Sequence, residues 1–133
     1  MPARPLQRVF YVDDDEIVQR LVKIALERIG GLTVGMVSDS AAAIDAIRGF
    51  RPDLVLLDCI MPKVDGVELF HQMRAIPEMA AIPVVFFTVK AHWRTGDELL
   101  ALGAAGVITK PFDARQLAGQ LKVIWNGLPD AGT

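Results

Sequence analysis

Two hydrophobic periods take turns along this chain. Residues 8–13 (RVFYVD) form a short apolar run ending in acid, as a strand does. From residue 16 to residue 29 the apolar positions Val18, Leu21, Val22, Ala25 and Ile29 repeat at helical spacing on one face. The Gly30-Gly31 pair then stops that helix at a left-handed position. Residues 32–37 (LTVGMV) read as a second strand, and the stretch Ser38–Ser40 offers N-caps for a helix running through Phe50. Pro52 closes it and leads into residues 53–62 (DLVLLDCIMP), the stretch around which the rest is organised. Its run 54–57 is uninterruptedly apolar, the pattern of a strand buried on both faces of a parallel sheet, and it ends on Asp58.

The second half repeats the alternation. Residues 66–75 predict a short helix with Val67, Phe70 and Met73 inward, and VVFFT (84–88) is an apolar strand ending on Thr88. Residues 97–102 read as a helix ending at Gly103, and AGVIT (105–109) as a fifth strand ending at Lys110-Pro111. The last helix carries Leu117, Leu121, Ile124 and Trp125 on its apolar face, with Asp113 as N-cap and Gln116 three residues on, a capping-box spacing. Strands and helices in strict alternation predict an α/β fold: a five-stranded, parallel, doubly wound sheet of the flavodoxin-like (βα)5 kind. Residues 7–126 form one domain in this reading, between a short extension (1–6) and a tail (127–133).

Right-handed crossovers put the carboxyl end of every strand on one edge, where open α/β sheets bind ligands. The residues arriving there are Asp13 and Asp14, Asp58, Thr88 and Lys110. Three carboxylates gathered so closely repel one another and call for a divalent cation, and oxygen-only ligands favour Mg²⁺ or a relative such as Mn²⁺. With the Lys110 ammonium and the Thr88 hydroxyl beside the cation, the edge is suited to a phosphoryl group, and the central carboxylate to forming an aspartyl phosphate.

Composition narrows the partners. With 133 residues, 52% of them hydrophobic, the chain can bury a sizeable core. A net charge of −2 argues against a nucleic-acid groove, which needs a basic stripe. No apolar stretch approaches the roughly 18–20 residues of a membrane span, and residues 1–7 are not a secretory signal. The single cysteine cannot form an internal disulfide, which fits a reducing cytoplasm.

The combination of VDDD, DLVLLDCIMP followed by DG, a strand ending in Thr, and KPF resembles the receiver domain of bacterial two-component response regulators, over about residues 7–126. The resemblance implies that Asp58 accepts a phosphoryl group from a phosphohistidine on a sensor histidine kinase or a histidine phosphotransfer protein. It implies Asp14 as a direct metal ligand, Asp13 acting mainly through water, and the backbone carbonyl of Ile60 as a further ligand. Lys110 would pair with a phosphoryl oxygen, Pro111 would follow a cis peptide, and Thr88 would move toward the phosphoryl group. The backbone N–H groups of Cys59 and Val89 would contact it. The chain departs from the family pattern twice: Val107 stands where an aromatic usually swings with the Thr, and the residue after the Thr is Val89 rather than a small one. The switch is therefore expected in the loop 89–95, with Trp93 as its reporter.

Blander readings stand beside these. The acidic triplet serves partly as a helix cap, a role one Asp fills and Asp15 is expected to take. Cys59 reads as a small half-buried thiol, and His71 and His92 as ordinary helix and loop residues without metal spacing. Two other function classes share the chemistry or the fold. An Asp-nucleophile, Mg²⁺-dependent phosphatase would need a cap region and more length. A flavin-mononucleotide carrier would need a Ser/Thr/Gly-rich phosphate loop where this chain is acidic. The expected protein is a phosphorylation-controlled switch rather than a turnover enzyme, without contact to nucleic acid or membrane and compatible with a homodimer. Its output would come by docking to a partner or by passing the phosphoryl group onward, because nothing after residue 126 suffices for an output domain.

Overall fold

The computed structural model describes residues 4–89 and 96–129. In chain order the strands are β1 (Arg8–Val12), β2 (Thr33–Val37), β3 (Leu54–Asp58), β4 (Val84–Val89) and β5 (Gly106–Lys110). The helices are α1 (Glu16–Ile24), α2 (Ala43–Phe50), α3 (Gly66–Ala75), α4 (Gly96–Ala101) and α5 (Leu117–Asn126). All pairings are parallel and the order is β2-β1-β3-β4-β5. This is the flavodoxin-like arrangement expected from the alternation. Its order reverses between β1 and β3, so the acids ending those strands are neighbours at the crevice where such sheets bind ligands.

Helices cover both faces, which is why β3 and β4 carry almost no polar residue before their carboxyl ends. Leu54–Asp58 is buried throughout. One layer of core joins Phe10, Val55, Leu57 and Phe86 to α2 and α3 through Ile47, Phe70 and Met73. The other joins Val9, Tyr11, Leu56 and Phe87 to α1, the turn that continues it and α5 through Val22, Leu26, Leu117, Leu121 and Trp125. Each large apolar side chain withdrawn this way contributes about 1.5–3 kcal/mol, and the sum sets the sheet as a rigid base.

Two local expectations change. The first helix does not end as a regular α-helix: Ala25–Ile29 widens into a π-turn, closed by Gly30 N–H donating to Ala25 O at 3.1 Å. The wider turn carries Ile29 past the inward face, leaving it 51% exposed, and Leu21, at the stripe's margin, is 49% exposed, while Leu26 is buried instead. Of the glycine pair, Gly31 takes the positive φ of 69°. Gly30 is small for another reason, since a Cβ there would lie 2.4 Å from Ala118 Cβ on α5.

Within Ser38–Ser40 the residue that caps is Asp39, whose carboxylate accepts from Ala41 N in the tight turn 40–42 leading into α2, while Ser40 turns inward. The capping box before α5 is only half formed. Asp113 Oδ1 accepts from Arg115 N at 2.9 Å, but residues 114–116 make a leading turn and Gln116 makes no side-chain cap bond.

Candidate functional site

The site is built on the carboxyl ends of β1, β3, β4 and β5. Asp15 caps α1, accepting from Ile17 N at 2.9 Å and Val18 N at 3.2 Å, as expected, which leaves Asp13 and Asp14 for other work. Asp13 is fully buried and Asp14 is exposed. One carboxylate oxygen from each of Asp13, Asp14 and Asp58 lies within 4.8 Å of the others. Three hard oxygen donors converging on one point, two of them buried, fit a Mg²⁺-sized cation, whose charge would offset their repulsion.

Lys110 reaches back from β5 to the same cluster. Its Nζ lies 3.1 Å from Asp13 Oδ2 and 3.3 Å from Asp58 Oδ1. The peptide that follows, Lys110-Pro111, is cis, as the sequence led us to expect. Burial alone would favour a neutral Lys110 amine, but Asp58 and Asp13 outweigh it and hold the ammonium charged. Asp58 is pushed the other way. Its burial, followed by the neighbouring Asp13 charge, raises its carboxyl to about 7 against the opposing pull of Lys110. A carboxyl shifted this far by burial and a like charge, beside a lysine, makes Asp58 a candidate functional group.

Thr88 is buried at the end of β4, and its hydroxyl donates to Val89 O at 3.3 Å. Cys59 is buried more fully than expected, its thiol raised to about 11 by burial, with a contact to Thr88 acting against it. Its backbone N–H donates to Phe87 O at 3.3 Å, the rung that closes the β3–β4 ladder, so in this state it faces the sheet. Ile60, two residues after Asp58, is 57% exposed, and Val89 is exposed as well. Val107 is half-buried against the α2–α3 layer of core. His71 is exposed on α3, whereas Lys90, His92 and Trp93 lie outside the described residues.

Three residues given no part in the site by the sequence shape it. Tyr11, fully buried on β1, donates its hydroxyl to Asp13 Oδ2. It stands two residues before Asp13 on the same face of the strand, so the period-two rule could have flagged it. Ser40 donates to Pro62 O at 2.9 Å and accepts from Val64 N at 3.2 Å, tying the α2 entrance to the loop after β3. Gly66 seats α3 on the backbone of Asp58, where a Cβ would come within 2.1 Å of the Asp58 carbonyl oxygen.

Residues 9–122 match the family model of the response regulator receiver domain. The chain is 32% identical over 126 residues to the transcriptional regulatory protein CseB of Streptomyces coelicolor, covering 93% of this chain and 51% of that protein. It is 35% identical over 118 residues to the DNA-binding response regulator MtrA of Mycobacterium tuberculosis, covering 87% of this chain and 49% of that protein. A response regulator from Desulfuromonas acetoxidans matches with a TM-score of 0.82 at 25% identity, over 92% of this chain and 99% of that one. The chemotaxis response regulator CheY4 of Vibrio cholerae matches with a TM-score of 0.79 at 25% identity, over 90% and 98%.

The chain spans about half the length of the curated relatives it matches. This corrects the expectation that nucleic acid is excluded as a partner. Relatives of about twice the length include one named as a DNA-binding regulator, and a net charge of −2 describes only the residues given. Among the described residues, no helix is long and apolar enough to cross a membrane. From the carboxyl-edge acids to the match over residues 9–122, the observations converge, and the chain belongs to the response regulator receiver domain family.

Proposed function

We propose that this receiver takes a phosphoryl group onto Asp58 from a phosphohistidine of a sensor histidine kinase or histidine phosphotransfer protein, and that the aspartyl phosphate switches partner binding. The observation that carries this reading is the Asp58 carboxylate itself: it ends a wholly buried strand, with Asp13 and Asp14 close by and the Lys110 ammonium at 3.3 Å. A carboxylate oxygen of Asp58 attacks phosphorus, and the electron pair of the breaking P–N bond leaves with the donor's imidazole. Mg²⁺ or Mn²⁺, held by Asp13, Asp14, Asp58 and the Ile60 carbonyl, would supply charge neutralisation for the transferring phosphoryl oxygens.

The remaining roles fall to the chain's own groups. Lys110, already charged and aimed at Asp58, pairs with a phosphoryl oxygen as its present carboxylate partner becomes the acyl phosphate. Thr88 exchanges its bond to Val89 O for one to the phosphoryl group, and that shift carries the signal. The Cys59 and Val89 backbone N–H groups complete the phosphoryl cradle once the Cys59 rung to Phe87 opens. One transfer per molecule, followed by hydrolysis, makes this a switch rather than an enzyme of sustained turnover.

The test is incubation with acetyl phosphate or phosphoramidate and Mg²⁺, read by intact mass. One added phosphoryl group is expected, and none when the metal is chelated beforehand or in Asp58→Ala. Labelling that survives Asp58→Ala refutes the assignment.

A further inference from the structure

We propose that Tyr11 is a positioning residue of the carboxylate cluster, and that its hydroxyl lowers the cluster's affinity for a divalent cation by binding Asp13 from the protein side. This inference rests on the cation-holding role given to the cluster above. Asp13 is surrounded by donors of the chain: Oδ1 accepts from Asp15 N at 2.9 Å, and Oδ2 accepts from both the Tyr11 hydroxyl and Lys110 Nζ. A carboxylate offers about four lone-pair sites, so most of the capacity of Asp13 is engaged. Asp14, by contrast, is exposed, with no hydrogen bond or ion pair to its carboxylate among the described residues.

The phenol is held in place. Tyr11 is fully buried, and its ring meets Phe87 edge-on with centroids 6.1 Å apart. Phe87 in turn packs against Phe112 at 5.2 Å and lies beneath Lys110 Nζ at 4.9 Å. One aromatic side chain thus seats both donors to Asp13 Oδ2. A bond from a neutral hydroxyl to a carboxylate is strongest when that carboxylate carries its full charge. A cation drawing electron density from the acids weakens the Tyr11 bond, so Tyr11 stabilises the cation-free cluster more than the loaded one. The difference is subtracted from cation affinity, which keeps the site exchangeable. Spending the lone pairs of Asp13 on the protein also fits a water-mediated role for it, with Asp14 and Asp58 left to coordinate.

The test is Mg²⁺ binding by calorimetry to the native chain and to Tyr11→Phe, which keeps the ring and removes the donor. The variant is expected to bind about five-fold more tightly, a fraction of one charge-assisted hydrogen bond. Equal or weaker binding overturns the proposal, and mere loosening of the site would weaken binding rather than tighten it. A second readout needs no variant. Tyr11 is the only tyrosine in the chain, so Mg²⁺ titration of the native protein should give a tyrosine difference-absorbance signal that saturates with the calorimetric binding. Its absence at saturating Mg²⁺ overturns the proposal whether or not Tyr11→Phe folds. A native chain that binds no cation refutes the functional reading of the cluster and this inference with it. A native chain that binds, but without the tyrosine signal or the gain in Tyr11→Phe, refutes this inference alone.

Discussion

Asp58 is kept in a place that disfavours its charge. Burial and Asp13 lift its carboxyl from an ordinary value of 3.8 to about 7, and that shift is also a statement about stability. Between about pH 4 and pH 7 the unfolded chain has released this proton and the folded chain retains it. The unfolded state then binds fewer protons, so stability falls as pH rises through that window. Discounted for screening at an open crevice, the loss by pH 7 is about 2 kcal/mol. Denaturant unfolding of the cation-free protein at pH 5 and pH 7 should show it, and saturating Mg²⁺ at pH 7 should reverse it. A stability that rises across the window without metal would contradict this placement of Asp58. The residue was legible in the sequence because an apolar run ending on a carboxylate is an unusual pattern. Asp15 was legible as a cap for an equally local reason. Ser40 was not: its partners Pro62 and Val64 are more than twenty residues away, and a lone hydroxyl gives no sign of which turn it will meet.

Among the elements, α3 and the loop before it do most to fix where Asp58 points. Gly66 lets the first turn of α3 press on the end of β3, its N–H donating to Cys59 O at 3.0 Å. Ser40 holds the intervening loop from the other side, where Lys63 adopts a positive φ of 68° between Pro62 and Val64. Gly66→Ala would force either helix or strand to move, because the added methyl meets backbone rather than a flexible side chain. It should cost about 2 kcal/mol or more and slow labelling by phosphoramidate, since the nucleophile moves with its strand. Ser40→Ala should cost less, about 1 kcal/mol, and speed hydrogen exchange around residue 64. Exchange there left unchanged would show that the loop is held without Ser40. The limits of β3 and α3 were read correctly because Pro52 and the Asp65-Gly66 pair punctuate them locally. The phase of α1 and the start of α5 were misjudged because they depend on each other: Gly30 and Ala118 meet only once both helices are packed on the sheet.

Across the whole molecule, one strand separates two buried acids with opposite fates. Asp53 precedes β3 at the amino edge of the sheet and Asp58 ends it at the carboxyl edge. Burial would raise the Asp53 carboxyl, but the Arg4 guanidinium and the Arg8 and Gln7 N–H groups together hold it below its ordinary value. Its Oδ2 accepts from Gln7 N at 3.0 Å and Arg8 N at 2.9 Å, and Oδ1 pairs with Arg4. Arg4 is itself fastened to α5, because Trp125 Nε1 donates to Arg4 O at 2.9 Å. The amino edge is thus saturated and structural, while the carboxyl edge keeps two acids sharing one lysine. The parallel sheet was legible as a whole; this division was not, since Asp53 reads like Asp58 until Arg4 is seen beside it. Neutralising each acid in turn should therefore move stability in opposite directions at pH 7 in chelator. Asp53→Asn strips the charge from three donors and should destabilise by about 2–3 kcal/mol. Asp58→Asn removes a like-charge contact with Asp13 and should stabilise by about 1 kcal/mol or more. Because Asp53 is depressed, its contribution is complete at pH 7 and fades only in acid, below the ordinary carboxylate value, so the two effects do not overlap in pH. Urea unfolding of the two variants beside the native chain decides it, and a shift of the same sign in both would mean that the two edges of the sheet are not electrostatically distinct.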